Sequence, residues 1–232
     1  MNTATKLLLP LSLAAVLAAV LAACSQPAPA PADTTTPATT EAAPEVAAIA
    51  VASGTYKLDP THTDVLAQWN HMGFSNPTAH FGTVDGTLVY NADDVSQSSV
   101  EVTLPLSGLN SFTAKFDEHL RSADFFDAAT FPVATFKSTK VEAAGTNKLT
   151  VTGELTIKDQ TKPVVLDVTV NGAGEHPMMK VPAVGFDATT TIKRTDFGVG
   201  AYAPNVSDEV TLRITTEATQ APAEAAGETA AE

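Results

Sequence analysis

The chain has 232 residues, 44% of them hydrophobic, with 15 Pro, a single Cys and a formal charge of −13 at pH 7. That length holds one domain of ordinary size together with low-complexity flanks. A strongly acidic balance without a basic stripe excludes nucleic-acid binding, and one cysteine excludes a disulfide scaffold.

In chain order, Lys6 precedes an apolar run over residues 7–21 that closes on Leu21-Ala22-Ala23-Cys24. A basic start, an apolar core and small residues before a cut describe a secretory signal peptide, here 1–23. The run is about 15 residues, short of the roughly 20 that a transmembrane helix needs. A cysteine at the cut resembles the lipobox of bacterial lipoproteins, in which the thiol is acylated and becomes the mature N-terminus. Cys24 is therefore the expected lipidation site, placing the protein in the bacterial cell envelope, membrane-anchored and facing the periplasm. Ser25, standing where an Asp would signal inner-membrane retention in enteric bacteria, favours the outer membrane.

Residues 24–52 hold the lipidated Cys and a stretch made almost entirely of Ala, Pro, Thr and Ser, as in Pro27-Ala28-Pro29-Ala30-Pro31. Such a composition cannot bury apolar area, so it reads as a disordered tether. Fully extended, it reaches on the order of 90 Å. Residues 219–232 read the same way, as a disordered acidic tail. The ordered domain is then 53–218. Within residues 54–217, 12 Lys and Arg stand against 20 Asp and Glu, a net charge of −8.

Period-two alternation dominates this domain. Val65, Ala67 and Trp69 alternate with polar neighbours, as do Val100, Val102, Leu104 and Leu106. The pattern returns in Leu149 to Ile157, Val164 to Val170, Val184 to Ile192 and Val210 to Ile214. Each segment keeps one apolar and one polar face, which describes antiparallel strands covering a core. Asp85-Gly86 and Lys158-Asp159-Gln160-Thr161 supply turn chemistry between strands. With strands at 55–58 and 83–90, about eight strands fit, enough to close into a barrel without exposed edges.

One segment departs from the alternation. Residues 113–121 have helical propensity, with Phe116 and Leu120 at i,i+4 and Asp117 facing Arg121 as an ion pair. Six of the ten Phe crowd around it: Phe112, Phe116, Phe125, Phe126, Phe131 and Phe136. The helix is expected across one side of the barrel. The aromatic cluster fits either a sealed core or the wall of a cavity, and periodicity does not separate the two.

No catalytic constellation stands out. There is no Gly-x-Ser-x-Gly elbow and no free cysteine to pair with a histidine. Gly198-Val199-Gly200 lacks the helix that a phosphate loop requires. His62, His71 and His80 recur every nine residues, which is no zinc-ligand spacing, so no metal is expected. His62 reads as a structural turn residue and His119 as a surface or capping residue; a metal or haem redox site on His62, His71 or His119 is the weaker alternative.

The landmarks, in order, resemble one family. Tyr56-x-Leu58-Asp59-x-x-His62 opens the domain and Gly82-x-x-x-Gly86 follows. The block His119-Leu120-Arg121-Ser122-Ala123-Asp124-Phe125-Phe126-Asp127 comes next, with Phe131-Pro132 and Phe136-Lys137-Ser138. Gly153-Glu154-Leu155-Thr156-Ile157, Thr161-Lys162-Pro163-Val164, Lys193-Arg194-Thr195-Asp196-Phe197-Gly198 and Asp208-Glu209-Val210 complete the series. This looks like the YceI family of lipocalin-like periplasmic proteins.

The resemblance implies an all-β, eight-stranded antiparallel barrel with the helix over one side. Its long apolar cavity would take a polyisoprenoid or other long-chain lipid, quinone-type molecules included, with no cofactor and no enzymatic chemistry. Inward-facing positions expected to line it are Trp69, Phe81, Leu104, Phe116, Phe125, Phe136, Leu155 and Phe186. An envelope structural or stress-interaction protein with a filled barrel is the alternative. Expected partners are the lipid and the membrane through the N-terminal anchor; a homodimer is left open.

Overall fold

The computed structural model describes residues 47–221. The signal segment, Cys24, most of the tether and the tail from residue 222 lie outside the described residues.

Eleven strands and one α-helix form the domain. They are β1 (Gly54–Leu58), β2 (Asp64–His71), β3 (Thr78–Phe81), β4 (Asp85–Tyr90), β5 (Ser99–Pro105) and β6 (Leu109–Asn110). After helix α1 (Ala114–Arg121) come β7 (Val133–Gly145), β8 (Lys148–Ile157), β9 (Gln160–Glu175), β10 (Pro182–Lys193) and β11 (Val206–Gln220). All pairings are antiparallel, and the sheet closes on itself where Tyr56 of β1 stands opposite Gln220 of β11.

Three of the barrel's eight staves are interrupted. β1 and β2 both pair with β11, β2 along Val206 to Thr215 and β1 at its last three residues, Ala218 to Gln220. β4 pairs with β1 and β5, whereas β3 pairs with β2 and β6. Thus β1/β2, β3/β4 and β5/β6 each make one stave, broken by the Asp59–Thr63 turn, residues 82–84 and the 3₁₀ turn Leu106–Gly108. The barrel is an eight-stranded closed sheet with one helix.

The alternation read from the sequence becomes the inside and outside of this sheet. Val65 and Ala67 of β2, Val164, Val168 and Val170 of β9, and Val184, Phe186, Ala188 and Ile192 of β10 are buried, while their neighbours are not. β6 is only two residues long and has β3 as its sole partner among the described pairings, leaving a gap towards β7 at that end. Helix α1 and residues 122–132 occupy this end of the barrel, with Leu120 buried and Phe116 packed on the core.

Three local expectations are corrected. Asp85-Gly86 is no turn but the start of β4, where a Cβ on Gly86 would come within 2.9 Å of Glu101 O, so glycine is there for close packing. Asp117 does not pair with Arg121: it accepts from Ser111 N and Ser111 Oγ, both at 2.6 Å, which holds its carboxyl below the usual range. Arg121 instead donates to the carbonyls of Leu106 at 2.9 Å, Ser107 at 3.3 Å and Leu109, binding the helix to the broken β5/β6 stave. Order also extends past the expected domain limits. Val51 is buried, Ile49 N donates to Asn147 Oδ1 at 2.7 Å, and β11 continues through Thr219 and Gln220.

Candidate ligand-binding cavity

The barrel is hollow. An outer cavity of about 410 Å³ lies at the end that carries α1, walled by residues that include Trp69, Phe81, Phe116, Phe125, Phe126 and Tyr202. A second cavity of about 170 Å³ lies deeper, among residues that include Leu88, Phe136, Val151, Leu166, Val168 and Phe186. Val65, Leu104, Leu155 and Leu212 line both, so they form a waist between two compartments of one interior.

The eight wall positions expected from alternation and aromatic size all reach this space. Trp69, Phe81, Phe116 and Phe125 face the outer compartment, Phe136 and Phe186 the inner one, and Leu104 and Leu155 the waist. The outer aromatics touch one another edge-on or tilted, Trp69 with Phe116 at 6.1 Å between centroids and Phe81 with Phe126 at 5.7 Å. Such contacts add stability beyond area burial. Where periodicity left sealed core and cavity wall open, these side chains border open space.

Sequence reasoning missed the polar side of the mouth. His119 is half-buried among aromatics, 4.9 Å from Phe125 and 6.2 Å from Tyr202 between centroids, and it lines the outer cavity; it is not a surface or capping residue. His71 and Arg194 line it as well. Arg194, 7% exposed, donates to four carbonyls: Ser207 and Val206 at 2.8 and 2.9 Å, Val199 at 2.5 Å and Ala201 at 2.9 Å. Burial pulls its pKa down from the ordinary value, and carbonyl dipoles take the place of a contacting carboxylate. Its long reach from the Arg-Thr-Asp-Phe turn to the next strand leaves no signal in sequence periodicity.

The buried polar residues along the inner compartment, Thr63 and Ser98, are satisfied within the protein. Thr63 and Thr216 share a hydrogen bond of 2.7 Å, and Ser98 Oγ accepts from Asn91 N at 3.0 Å. No buried side-chain N or O atom among the described residues lacks a partner. The space therefore offers contact area and no directional demand, which suits an apolar chain.

Two further histidines sit elsewhere. His62 Nδ1 lies 2.6 Å from Asp59 Oδ2 in the turn between β1 and β2, and His80 Nδ1 lies 2.8 Å from Asp64 Oδ2. Among the described residues no group of three or more His, Cys, Asp or Glu side chains converges.

The YceI-like domain profile matches residues 56–218. The chain belongs to the YceI family. A UPF0312 protein of Vibrio cholerae serotype O1 is 38% identical over 152 residues, which is 65% of this chain and 80% of that relative. The crystal structure of Burkholderia cenocepacia BcnA superposes with a TM-score of 0.63 at 27% identity, covering 69% of this chain and 98% of that one. A polyisoprenoid binding domain from Saccharophagus degradans shares the fold at 16% identity, with a TM-score of 0.57 over 75% of this chain and 99% of its own.

Proposed function

We propose that this YceI protein binds, stores or transports a polyisoprenoid or other long-chain lipid, a quinone-type molecule included, without catalysis. One observation carries the reading: the closed barrel encloses two contiguous compartments of about 410 and 170 Å³ with nearly all-apolar walls. Each methylene moved from water into such a space contributes about 0.8 kcal/mol, so a chain of ten or so carbons binds without a charged anchor. The Saccharophagus domain, described as polyisoprenoid binding, supports the same ligand class for this fold.

The proposal includes a place. Lipidated Cys24 would hold the barrel beside a membrane of the bacterial envelope, on its periplasmic face and with the outer membrane preferred, so that anchor and cavity address the same phase. Native mass spectrometry of the gently extracted protein is expected to show a co-purified apolar lipid, and solanesol added to delipidated protein to titrate into it. A barrel that emerges empty and takes up no polyprenol would overturn the reading. Incorporation of labelled palmitate, abolished by Cys24→Ala, checks the anchor separately.

A further inference from the structure

The end of the barrel that carries the outer cavity has apolar side chains that protein leaves uncovered, two of them, Met72 and Tyr202, on the cavity wall. Phe74 is 89% exposed, Phe112 74%, Tyr202 58% and Met72 48%. They lie on three neighbouring loops at one end of the barrel. Met72 N donates to Asn205 O at 3.1 Å, joining the β2–β3 hairpin to the loop before β11. Phe112 packs edge-on against His80, 5.1 Å between centroids, on β3 of that same hairpin. Met72 and Tyr202 themselves line the cavity, so the exposed patch reaches the cavity wall through these two side chains.

Charge is distributed to match. In a chain that is 17% charged, residues 70–80, 102–114 and 197–207 contain no Asp, Glu, Lys or Arg. The loops at the opposite end do carry charge: Asp93 and Asp94, Lys148, and Glu175 paired with Lys180 at 3.3 Å. Met178 and Met179 are exposed there too, but between those two charges. At the mouth, charge is carried by α1 and the residues after it (Lys115, Asp117, Glu118, Arg121, Asp124 and Asp127), by Asp196 and Asp208 flanking the loop before β11, and by the Lys158-Asp159 turn, whose ammonium lies 3.3 Å from Gly198 O; the three loops themselves carry none. Aromatic and Met side chains on uncharged loops are the composition that enters the headgroup layer of a bilayer, while charges and a basic footprint are what such a surface does not need when the lipid is zwitterionic.

We propose that the three loops around the outer cavity, carrying Met72, Phe74, Phe112 and Tyr202, dock on a lipid bilayer surface, so that the cavity opens directly into the membrane. This deepens the lipid-binding reading by naming the door: an apolar ligand then moves from bilayer to barrel without crossing water. The occupant is the bilayer rather than a protein, because the patch joins, at Met72 and Tyr202, a cavity whose proposed ligand class resides in the bilayer.

The test is hydrogen-exchange mass spectrometry of the full chain, carrying Cys24→Ser so that no acyl group contributes, with and without dioleoylphosphatidylcholine vesicles. Exchange is expected to slow several-fold in peptides covering residues 70–78, 109–113 and 198–206, and to be unchanged at 175–181. Phe74→Ser combined with Phe112→Ser removes two exposed rings; it should abolish that protection and weaken partition about ten-fold or more while leaving Tm unchanged. Met178→Ser with Met179→Ser, at the far end, should change neither. Unprotected mouth loops, equal protection at both ends, or protection retained in the Phe variant would each overturn the inference. So would protection that rises with protein concentration in the absence of vesicles, which would assign the patch to a second copy of the chain. None of these readouts needs a bound ligand, so a barrel that carries lipid yet ignores vesicles separates this inference from the reading beneath it.

Discussion

Asp59 and His62 show how a short turn is fixed by charge. The Asp59 carboxylate accepts from Thr61 Oγ1 at 2.6 Å, from Thr61 N at 2.8 Å and meets His62 Nδ1 at 2.6 Å. The Thr61 hydroxyl first, then His62, pull its pKa down to about 2, and the carboxylate in turn raises that of His62. Asp59 thus contributes stability above its unfolded pKa near 4 and loses it as pH falls towards 2, while His62 contributes below about 6.5 and loses it as pH rises through its higher folded value. The turn is held most firmly between those limits. Because the His62 side chain is 62% exposed, the effect is expected in its titration rather than in global stability. Asp59→Asn should bring the His62 ring midpoint down towards about 6.5 in a proton NMR titration, and an unmoved midpoint would contradict the pairing. Gly153 makes a steric point at the same scale. A Cβ there would lie 2.4 Å from the Phe136 ring and 2.6 Å from Lys137 O, so Gly153→Ala must displace a cavity wall residue or bend β7. A loss of about 1–3 kcal/mol in urea unfolding is expected.

At the scale of elements, Arg194 is the central fastener. Its guanidinium gathers carbonyls from Val199, Ala201, Val206 and Ser207, so the loop between β10 and β11, including the mouth residue Tyr202, is closed around one side chain. Arg194→Met removes the donors and strands those acceptors in a buried place. It should cost about 2–4 kcal/mol in denaturant midpoint and speed exchange across residues 198–207 before any strand of the barrel. Arg194→Lys should recover little, since a single ammonium cannot span four carbonyls. This fastener also marks the limit of what the residues disclose. Strand positions were legible because period-two burial is local and repeats over whole strands, and the wall positions Trp69, Leu104, Phe136, Leu155 and Phe186 follow from the same phase. The broken staves were not: Asp85-Gly86 has turn composition, yet pairing to Thr103 and Val102 makes it strand. Nor was the true partner of Arg121, because i,i+4 spacing suggests Asp117 while three carbonyls of the β5/β6 break, close only in the folded chain, take the guanidinium. Long-range polar contacts leave no period to read.

For the whole molecule, the interior's division at Val65, Leu104, Leu155 and Leu212 decides what length of ligand fits. A short polyprenol such as farnesol can be housed in the outer compartment alone, whereas a long one such as solanesol must pass the waist to bury its tail in the inner one. Leu104 sits on β5 with its side chain in both compartments, and β5 is covered by β4 and β7 on either edge, so a larger side chain there has nowhere to go but the passage. Leu104→Trp is therefore expected to weaken solanesol binding at least ten-fold, since excluding even two methylenes costs about 1.6 kcal/mol. Farnesol binding should stay within about two-fold, and unfolding should show an overpacking cost of about 1–3 kcal/mol at most. Fluorescence of Trp69, which lies in the outer wall, can follow both ligands in the parent protein, and calorimetry in the variant, where a second indole is present. Equal losses for the two alcohols would mean that the substitution closes the mouth or disturbs the fold. No loss for either would mean that the inner space is not used by ligand, and the waist would then be a packing feature of the barrel without bearing on chain length.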